Sequence, residues 1–275
     1  MNKIKMTIII LLIIILILVI TLTNKSKQNQ EDLTIYFFNA GKADAILITK
    51  NDTTIMIDTG EEELSSTILS YLNNNNITKI DYLILTHFDK DHIGSASTII
   101  NNIEIREVLQ SNFPKESEYY TAYLNALEEM NLTPTTVSGN YEISLNDVMM
   151  TVNGPDTIYD KNESNNSSLI VSLTYKNTSY LFMGDAENQR IKDYLSQNTN
   201  TYDLIKIPYH GNYLKRLEEL LSSTKPTYGI ITASKEAGAE QETLDLLEEL
   251  KINYYITRDG PIIITSDGET INIQQ

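Results

Sequence analysis

The sequence contains no cysteine. That absence excludes disulfides, thiolate metal sites and a lipid-modified cysteine anchor, and it leaves imidazole and carboxylate as the only strong metal ligands the chain can offer. Histidine is nearly as scarce, with His87, His92 and His210 the only three. Basic residues are outnumbered, 21 Lys and Arg against 37 Asp and Glu, for a formal charge of -16. So acidic a chain repels polyanions, and a basic groove for long nucleic acid is not indicated. What remains is ordinary: 275 residues with 41% hydrophobic content suffice for one large α/β domain or two small ones.

From Ile4 to Leu22 the chain is almost unbroken aliphatic, close to the ~20 residues that cross a ~30 Å hydrocarbon core. Lys3 and Lys5 ahead of the run favour an inside N-terminus and an outside domain, although Lys25 and Lys27 behind it weaken the asymmetry. Thr21-Leu22-Thr23-Asn24 offers no small-x-small cleavage site, so a retained anchor is expected over a cleaved signal peptide. The expected organisation is a transmembrane anchor over residues 1–23, a polar linker over 24–31 and a domain over 32–275, placed outside the cell on a single-pass membrane protein.

Beyond the linker, apolar runs of strand character alternate with segments of helical period. Strands are predicted at Leu33–Asn39, Asp44–Thr49, Thr54–Asp58, Ile80–Thr86 and Ile103–Leu109, with helices at Glu62–Leu72, Ile93–Asn101 and Glu116–Met130. The second half repeats the idea. Its strands fall at Val148–Val152, Ser168–Tyr175, Tyr180–Met183, Leu204–Pro208 and Thr227–Ala233, with three more at Tyr254–Thr257, Pro261–Thr265 and Thr270–Ile273. Its helices fall at Glu187–Leu195, Tyr213–Leu221 and Glu240–Leu250. Two similar strand-rich halves with interspersed helices predict a sheet sandwich with helices outside.

Chemistry concentrates where apolar strands end, as functional groups commonly do in α/β sheets. Asp81-Tyr-Leu-Ile-Leu-Thr86 runs into His87-Phe-Asp89-Lys-Asp91-His92, four nitrogen or oxygen ligands in six residues, dense enough for a two-metal centre. Clustered charge is more often a solvated loop. A calcium loop is a sharper rival, because Asp89, Asp91 and Gly94 stand at its first, third and sixth positions; it fails because Ile93 and Ile100 occupy positions that need oxygen. Three further strand ends carry polar groups: Asp58, Asp185 and, after Leu204-Ile-Lys-Ile-Pro208, His210. For Asp58 and Asp185 the competing role is a helix N-cap.

The ordered set Asn39-Ala-Gly-Lys-Ala-Asp-Ala45, Ile57-Asp-Thr-Gly60, His87-x-Asp-x-Asp-His92, Asn165-Asn-x-Ser-Leu169, Gly184-Asp185 and His210-Gly211 resembles the metallo-β-lactamase superfamily. Within it the chain is most similar to the extracellular hydrolase domain of ComEC-type competence proteins and their stand-alone relatives, over about Leu33 to Ile273. The resemblance implies an αββα sandwich with the site at one edge and two divalent ions, zinc or manganese. His87 and Asp89 would hold one ion, Asp91, His92 and His210 the other, and Asp185 would bridge them. Asp58 would orient a ligand imidazole, while Tyr209, Asn212 and Ser168 would stand around the metals or on the substrate side. Gly41 and Gly60 would let the backbone turn near the site. Three departures stand out: Tyr209 where the branch has a first His, Ala239 where it carries another, and Gly41-Lys-Ala-Asp44 in place of Gly-x-Gly-Asp. They leave the first ion under-ligated.

The implied activity is metal-assisted hydrolysis of phosphodiester or phosphoester bonds, with Asp91, Asp185 and His210 as catalytic groups and Asp91 as the acceptor of a water proton. The substrate would be small or polymeric, and the only other partner implied is the lipid bilayer. A lactamase acting on antibiotics is disfavoured, since the resemblance lies elsewhere in the superfamily. The rival class is an anchored binding module that kept the fold and lost turnover, for which Tyr209 and Ala239 speak. An accessory subunit of a transport system has no positive support in the sequence.

Overall fold

The structure, a computed structural model, describes residues 9–19, 32–145, 147–157, 159 and 164–275. Its first helix, α1, covers residues 9–19 with every side chain exposed. No described helix is long and apolar enough to cross a membrane. The flanks of the apolar run predicted from Ile4 to Leu22, and all of the linker predicted over 24–31, lie outside the described residues.

The strands are β1 (Leu33–Phe37), β2 (Ala45–Lys50), β3 (Thr53–Thr59), β4 (Lys79–Leu85), β5 (Glu104–Gln110), β6 (Thr135–Thr136), β7 (Gly139–Leu145) and β8 (Val148–Gly154). They continue as β9 (Ile170–Tyr175), β10 (Thr178–Phe182), β11 (Leu204–Lys206), β12 (Tyr228–Ile231), β13 (Asn253–Ile256), β14 (Ile262–Ser266) and β15 (Ile271–Gln274). One sheet has the order β15-β14-β1-β2-β3-β4-β5-β6 and the other β13-β12-β11-β10-β9-β8-β7. The first carries α2 (Ser65–Asn74), α3 (Lys90–Ile93), α4 (Ala96–Asn102) and α5 (Glu118–Glu129); the second carries α6 (Asn188–Gln197), α7 (Leu217–Thr224) and α8 (Gln241–Glu249).

The alternation of side chains along each strand explains the layering. Leu33, Ile35 and Phe37 of β1, Ile46 and Ile48 of β2, and Val171, Leu173 and Tyr175 of β9 point between the sheets into a shared core. Their neighbours Leu47 and Met56 face outward to Ile68, Ile99 and Tyr123 on the helices of the first sheet. Ile170, Leu181 and Ile205 face Ile191, Leu217 and Leu247 on the other side. Each sheet is thus apolar on both faces and needs a cover on each, and the result is the αββα sandwich expected from the sequence.

Local differences have physical causes. The predicted helix Ile93–Asn101 is two short helices separated at Gly94-Ser95, where the Ser95 hydroxyl turns to the Glu61 carbonyl. The strand predicted to Pro208 stops at Lys206, because Pro208–Gly211 forms a tight 3-10 turn with Tyr209 and His210 in the left-handed region. The helix predicted from Tyr213 begins at Leu217. The sequence reading passes over β7, an edge strand whose outward residues are polar and exposed, although Tyr141, Ile143 and Leu145 alternate along it.

Candidate metal centre

Strands β3, β4, β5 and β6 are parallel in one sheet, and β10, β11, β12 and β13 are parallel in the other. Their carboxyl ends supply every candidate ligand. His87 follows β4, Asp185 follows β10, His210 follows β11, Thr232 follows β12, and Asp58 lies in the last turn of β3. Segments more than 100 residues apart in sequence, such as those of His87 and His210, therefore meet at one edge of the sandwich.

Asp91, His92, Asp185 and His210 each offer a ligand atom, and these atoms lie within 4.8 Å of one another. Asp185 Oδ2 is 3.0 Å from His210 Nε2 and 3.4 Å from His92 Nε2, and Asp91 Oδ2 is 3.5 Å from His210 Nε2. The His87 ring stands beside His92 with centroids 4.1 Å apart, and His210 stands 5.4 Å from His92. His92 thus neighbours both other imidazoles. Asp89 Oδ1 is 4.0 Å from His87 Nε2 and is hydrogen-bonded by Lys115.

The surroundings hold these rings from behind. Asp58 Oδ2 is 2.7 Å from His92 Nδ1, and Asp58 also takes the Thr86 N–H and hydroxyl at 2.8 and 2.6 Å. His210 Nδ1 lies 2.9 Å from the Thr232 carbonyl, and the Thr232 hydroxyl donates to Asp44 at 2.6 Å. Asp58 takes φ 55°, and Tyr209 and His210 take 51° and 53°, a conformation that costs about 1–3 kcal/mol at a residue with a side chain and persists only where surroundings enforce it. Gly41 and Gly60 take positive φ as well, at 72° and 67°. Neither aspartate predicted as a possible helix cap is one: α6 is preceded by Glu187, and Asp58 is spent on Thr86 and His92.

The remaining predicted residues fall nearby. The Ser168 hydroxyl accepts the Asp185 N–H at 3.1 Å and lies 3.5 Å from His87 Nδ1. Tyr209 is half-buried under the Lys42 ammonium, 5.6 Å from its ring centre. The Asn212 N–H closes the turn on the Tyr209 carbonyl. Ala239 donates its N–H to the His210 carbonyl at 2.8 Å, so the position lies against the centre without a ligand of its own.

One central residue was passed over in the sequence. Lys206 is fully buried, with Nζ 2.5 Å from Asp44 Oδ2, 2.9 Å from the Gly184 carbonyl and 3.5 Å from Asp185 Oδ1. Its signal was a charge inside the apolar strand Leu204-Ile-Lys, which is tolerated only with an ionic partner. Asp44 and Asp58, which with His92 form a second compact group, are thereby committed to Lys206, Thr232 and Thr86 and act as buttresses.

Whether this donor set suits a metal can be read from its unused atoms. His87, His92 and His210 Nε2 and Asp185 Oδ1 are buried and make no hydrogen bond among the described residues. Buried polar atoms are rarely left so, and several in neighbouring residues have a common explanation in a cation. The donor spacings of 3.0–3.5 Å match the edge of about 3.3 Å of a tetrahedron with bonds of ~2.0 Å. Thiolate is absent, so nitrogen and oxygen suit zinc or manganese alike.

Titration follows from the same geometry. Burial, then the neighbouring His92 cation, pulls His87 down to about 4, so at neutral pH it presents a free nitrogen. Burial would lower His92 too, but Asp185 and Asp58 hold it well above the ordinary imidazole value; Asp185 and Asp91 likewise raise His210. Burial would raise the Asp185 carboxyl, which His210, His92 and Lys206 instead hold well below the usual carboxylate range. A divalent ion must therefore displace a proton from His92 and from His210. Affinity should keep rising with pH beyond 6.5, with protons released on binding, as competition against a chelating dye at pH 6, 7 and 8 would show. A flat profile would mean both rings are already neutral.

A sequence profile of the metallo-beta-lactamase superfamily matches residues 39–234. ComE operon protein 3 of Bacillus subtilis (strain 168) is 27% identical over 190 residues, covering 67% of this chain and 24% of that protein. The chain thus spans about a quarter of that relative's length. Among solved structures, the metallo-beta-lactamase fold protein YhfI from Bacillus subtilis superposes with a TM-score of 0.57 at 10% identity, covering 85% of this chain and all of the other. A diphosphatase from the PhnP family gives 0.50 at 12% identity, covering 85% and 98%.

Proposed function

Since the chain belongs to the metallo-beta-lactamase superfamily, a superfamily of metal-dependent hydrolases, we propose that it hydrolyses phosphodiester or phosphoester bonds with divalent ions held by His87, Asp89, Asp91, His92, Asp185 and His210. The observation that carries this reading is the gathering of Asp91, His92, Asp185 and His210 into one group with buried imidazole nitrogens that make no hydrogen bond among the described residues, His87 standing beside His92. The ions, when bound, activate water and stabilise the negative charge that develops on the substrate. Asp91 has the side chain most open to solvent among the four clustered ligands, at 20%. Burial pushes its carboxyl up, but the nearby His210 and His92 outweigh burial and hold it below the usual carboxylate range; it is ionised, and it would gain the basicity to take a proton from water once those two rings give up their protons to an ion. Asp58 fixes the His92 ring by its far nitrogen, and Thr232 does the same for His210. Kinship with a competence protein and likeness to a diphosphatase support the phosphoester class.

The test is turnover of bis(p-nitrophenyl) phosphate by the full chain, with metal and after chelation. Turnover that vanishes with chelator and returns with zinc or manganese supports the reading. Metal binding without turnover on phosphodiester or phosphocholine substrates would transfer it to the binding-module class, for which Ala239 beside His210 and Lys115 on Asp89 speak.

We also propose that the apolar N-terminal run anchors the domain outside the membrane, on the evidence of its length and of Lys3 and Lys5. Protease added to intact cells should then remove the domain. Complete protection there, with digestion after lysis, would reverse the orientation.

A further inference from the structure

We propose that Lys42 and Lys115 form a two-point anion clamp across the mouth of the centre, selecting a phosphoester that carries negative charge on both sides of the bond to be cleaved. The inference rests on the hydrolase reading above and deepens it to a substrate class.

Most of the centre is closed, with His87, His92 and His210 fully buried and Asp185 nearly so. Its open rim consists of Asp89 and Asp91, and each is met by one lysine from a different loop. Lys42, between β1 and β2, places Nζ 3.9 Å from Asp91 Oδ2 and over the Tyr209 ring. Lys115, between β5 and α5, hydrogen-bonds Asp89 Oδ1. About a third of each lysine side chain is exposed, so both ammonium groups border solvent.

The two meet carboxylates that stand beside different imidazoles. Asp89 neighbours His87, and Asp91 neighbours His210. Other lysines near the site are committed elsewhere: Lys90 turns to Glu61 at 3.0 Å, and Lys206 is buried on Asp44.

The partners of Lys42 and Lys115 are themselves members of the ligand set. A carboxylate that ligates a divalent ion has its charge taken up, and the lysine beside it then faces a cation and needs a new counterion. An incoming anion supplies one, and with a lysine beside each carboxylate the favoured substrate has anionic oxygens flanking the scissile bond, as in a diphosphate or consecutive phosphodiesters. The formal charge of -16 describes the whole surface and does not describe this rim.

The test compares the full chain with Lys42→Gln, Lys115→Gln and, as a remote control on the exposed face of α6, Lys192→Gln. Inorganic phosphate binding to the metal-loaded proteins is measured by calorimetry, independently of turnover. Each clamp variant should bind phosphate roughly 10-fold more weakly, the scale of one charge-assisted hydrogen bond. Lys192→Gln should bind as the parent does. In the metal-free chain, Lys115→Gln should also raise metal affinity, because a competitor for Asp89 is gone. At saturating metal, KM for bis(p-nitrophenyl) phosphate should rise in both variants by more than KM for p-nitrophenyl acetate, a neutral ester. Equal phosphate binding in all four proteins, or none by the parent, overturns the clamp, as does an equal loss on both esters. Weakened phosphate binding in a chain that hydrolyses neither ester would leave the clamp standing and remove the hydrolase reading.

Discussion

Asp185→Asn should empty the centre of metal and abolish hydrolysis. Asp185 Oδ2 faces both His92 and His210 while its Oδ1 lies toward Lys206, so this one carboxylate sets the charge balance of the whole cluster. Asn keeps the shape and removes the negative charge from among the sites the cations would occupy. Metal affinity should fall by more than the roughly 10–100-fold typical of losing a group outside the ligands. Activity should fall by about 10²–10³-fold or more, as when a preorganised charge-stabilising group is lost. The alternative, Asp185 as a helix cap, predicts almost no change because Asn caps about as well as Asp. A variant that keeps its metals and its rate would remove the central residue from the hydrolase account.

The second large effect is on stability. Lys206→Met should lower the melting temperature of the metal-free chain by about 6–20 °C, from a cost of roughly 3–5 kcal/mol for an ion left unpaired in the interior. The methionine fills the space but leaves buried Asp44 without its ammonium partner and Asp185 with only the His92 and His210 rings beside it. Adding Asp44→Asn to the same chain should recover part of the loss, since the two sites share one interaction. Bound metal should narrow the gap by neutralising Asp185. A calorimetric scan in chelator reads the effect, and an unchanged midpoint would show that Lys206 is not the counterion of this pair.

Much of this architecture was legible in the residues. The alternation in Leu33–Phe37 and the continuous apolar runs before His87, Asp185 and His210 mark strands covered on both faces, and their ends mark the site. His87-x-Asp-x-Asp-His92 announced a ligand cluster because so many donors crowd one turn. The partners behind the ligands were harder to see. That Thr232 holds both His210 and Asp44, 188 residues away, depends on the two sheets packing face to face, and no local spacing carries that information. Lys206 was visible only as an anomaly in an apolar strand, and its counterion Asp44 lies in the other sheet's loop. Lys42 and Lys115 read as ordinary surface charge until the fold brings them to one rim. The same holds for β7, whose exposed polar face hid a regular edge strand.

The central claim is that the His/Asp cluster is a metal centre, and titration of the chelator-stripped full chain with zinc and with manganese tests it most directly. One ion should bind tightly at Asp91, His92, Asp185 and His210, where four donors are already gathered. A second should bind at least about 10-fold more weakly at His87 and Asp89, where Lys115 competes for the carboxylate. His210→Ala should lose the tight ion. Two equally tight ions would contradict the uneven centre, and a parent chain that binds neither metal would contradict the account as a whole.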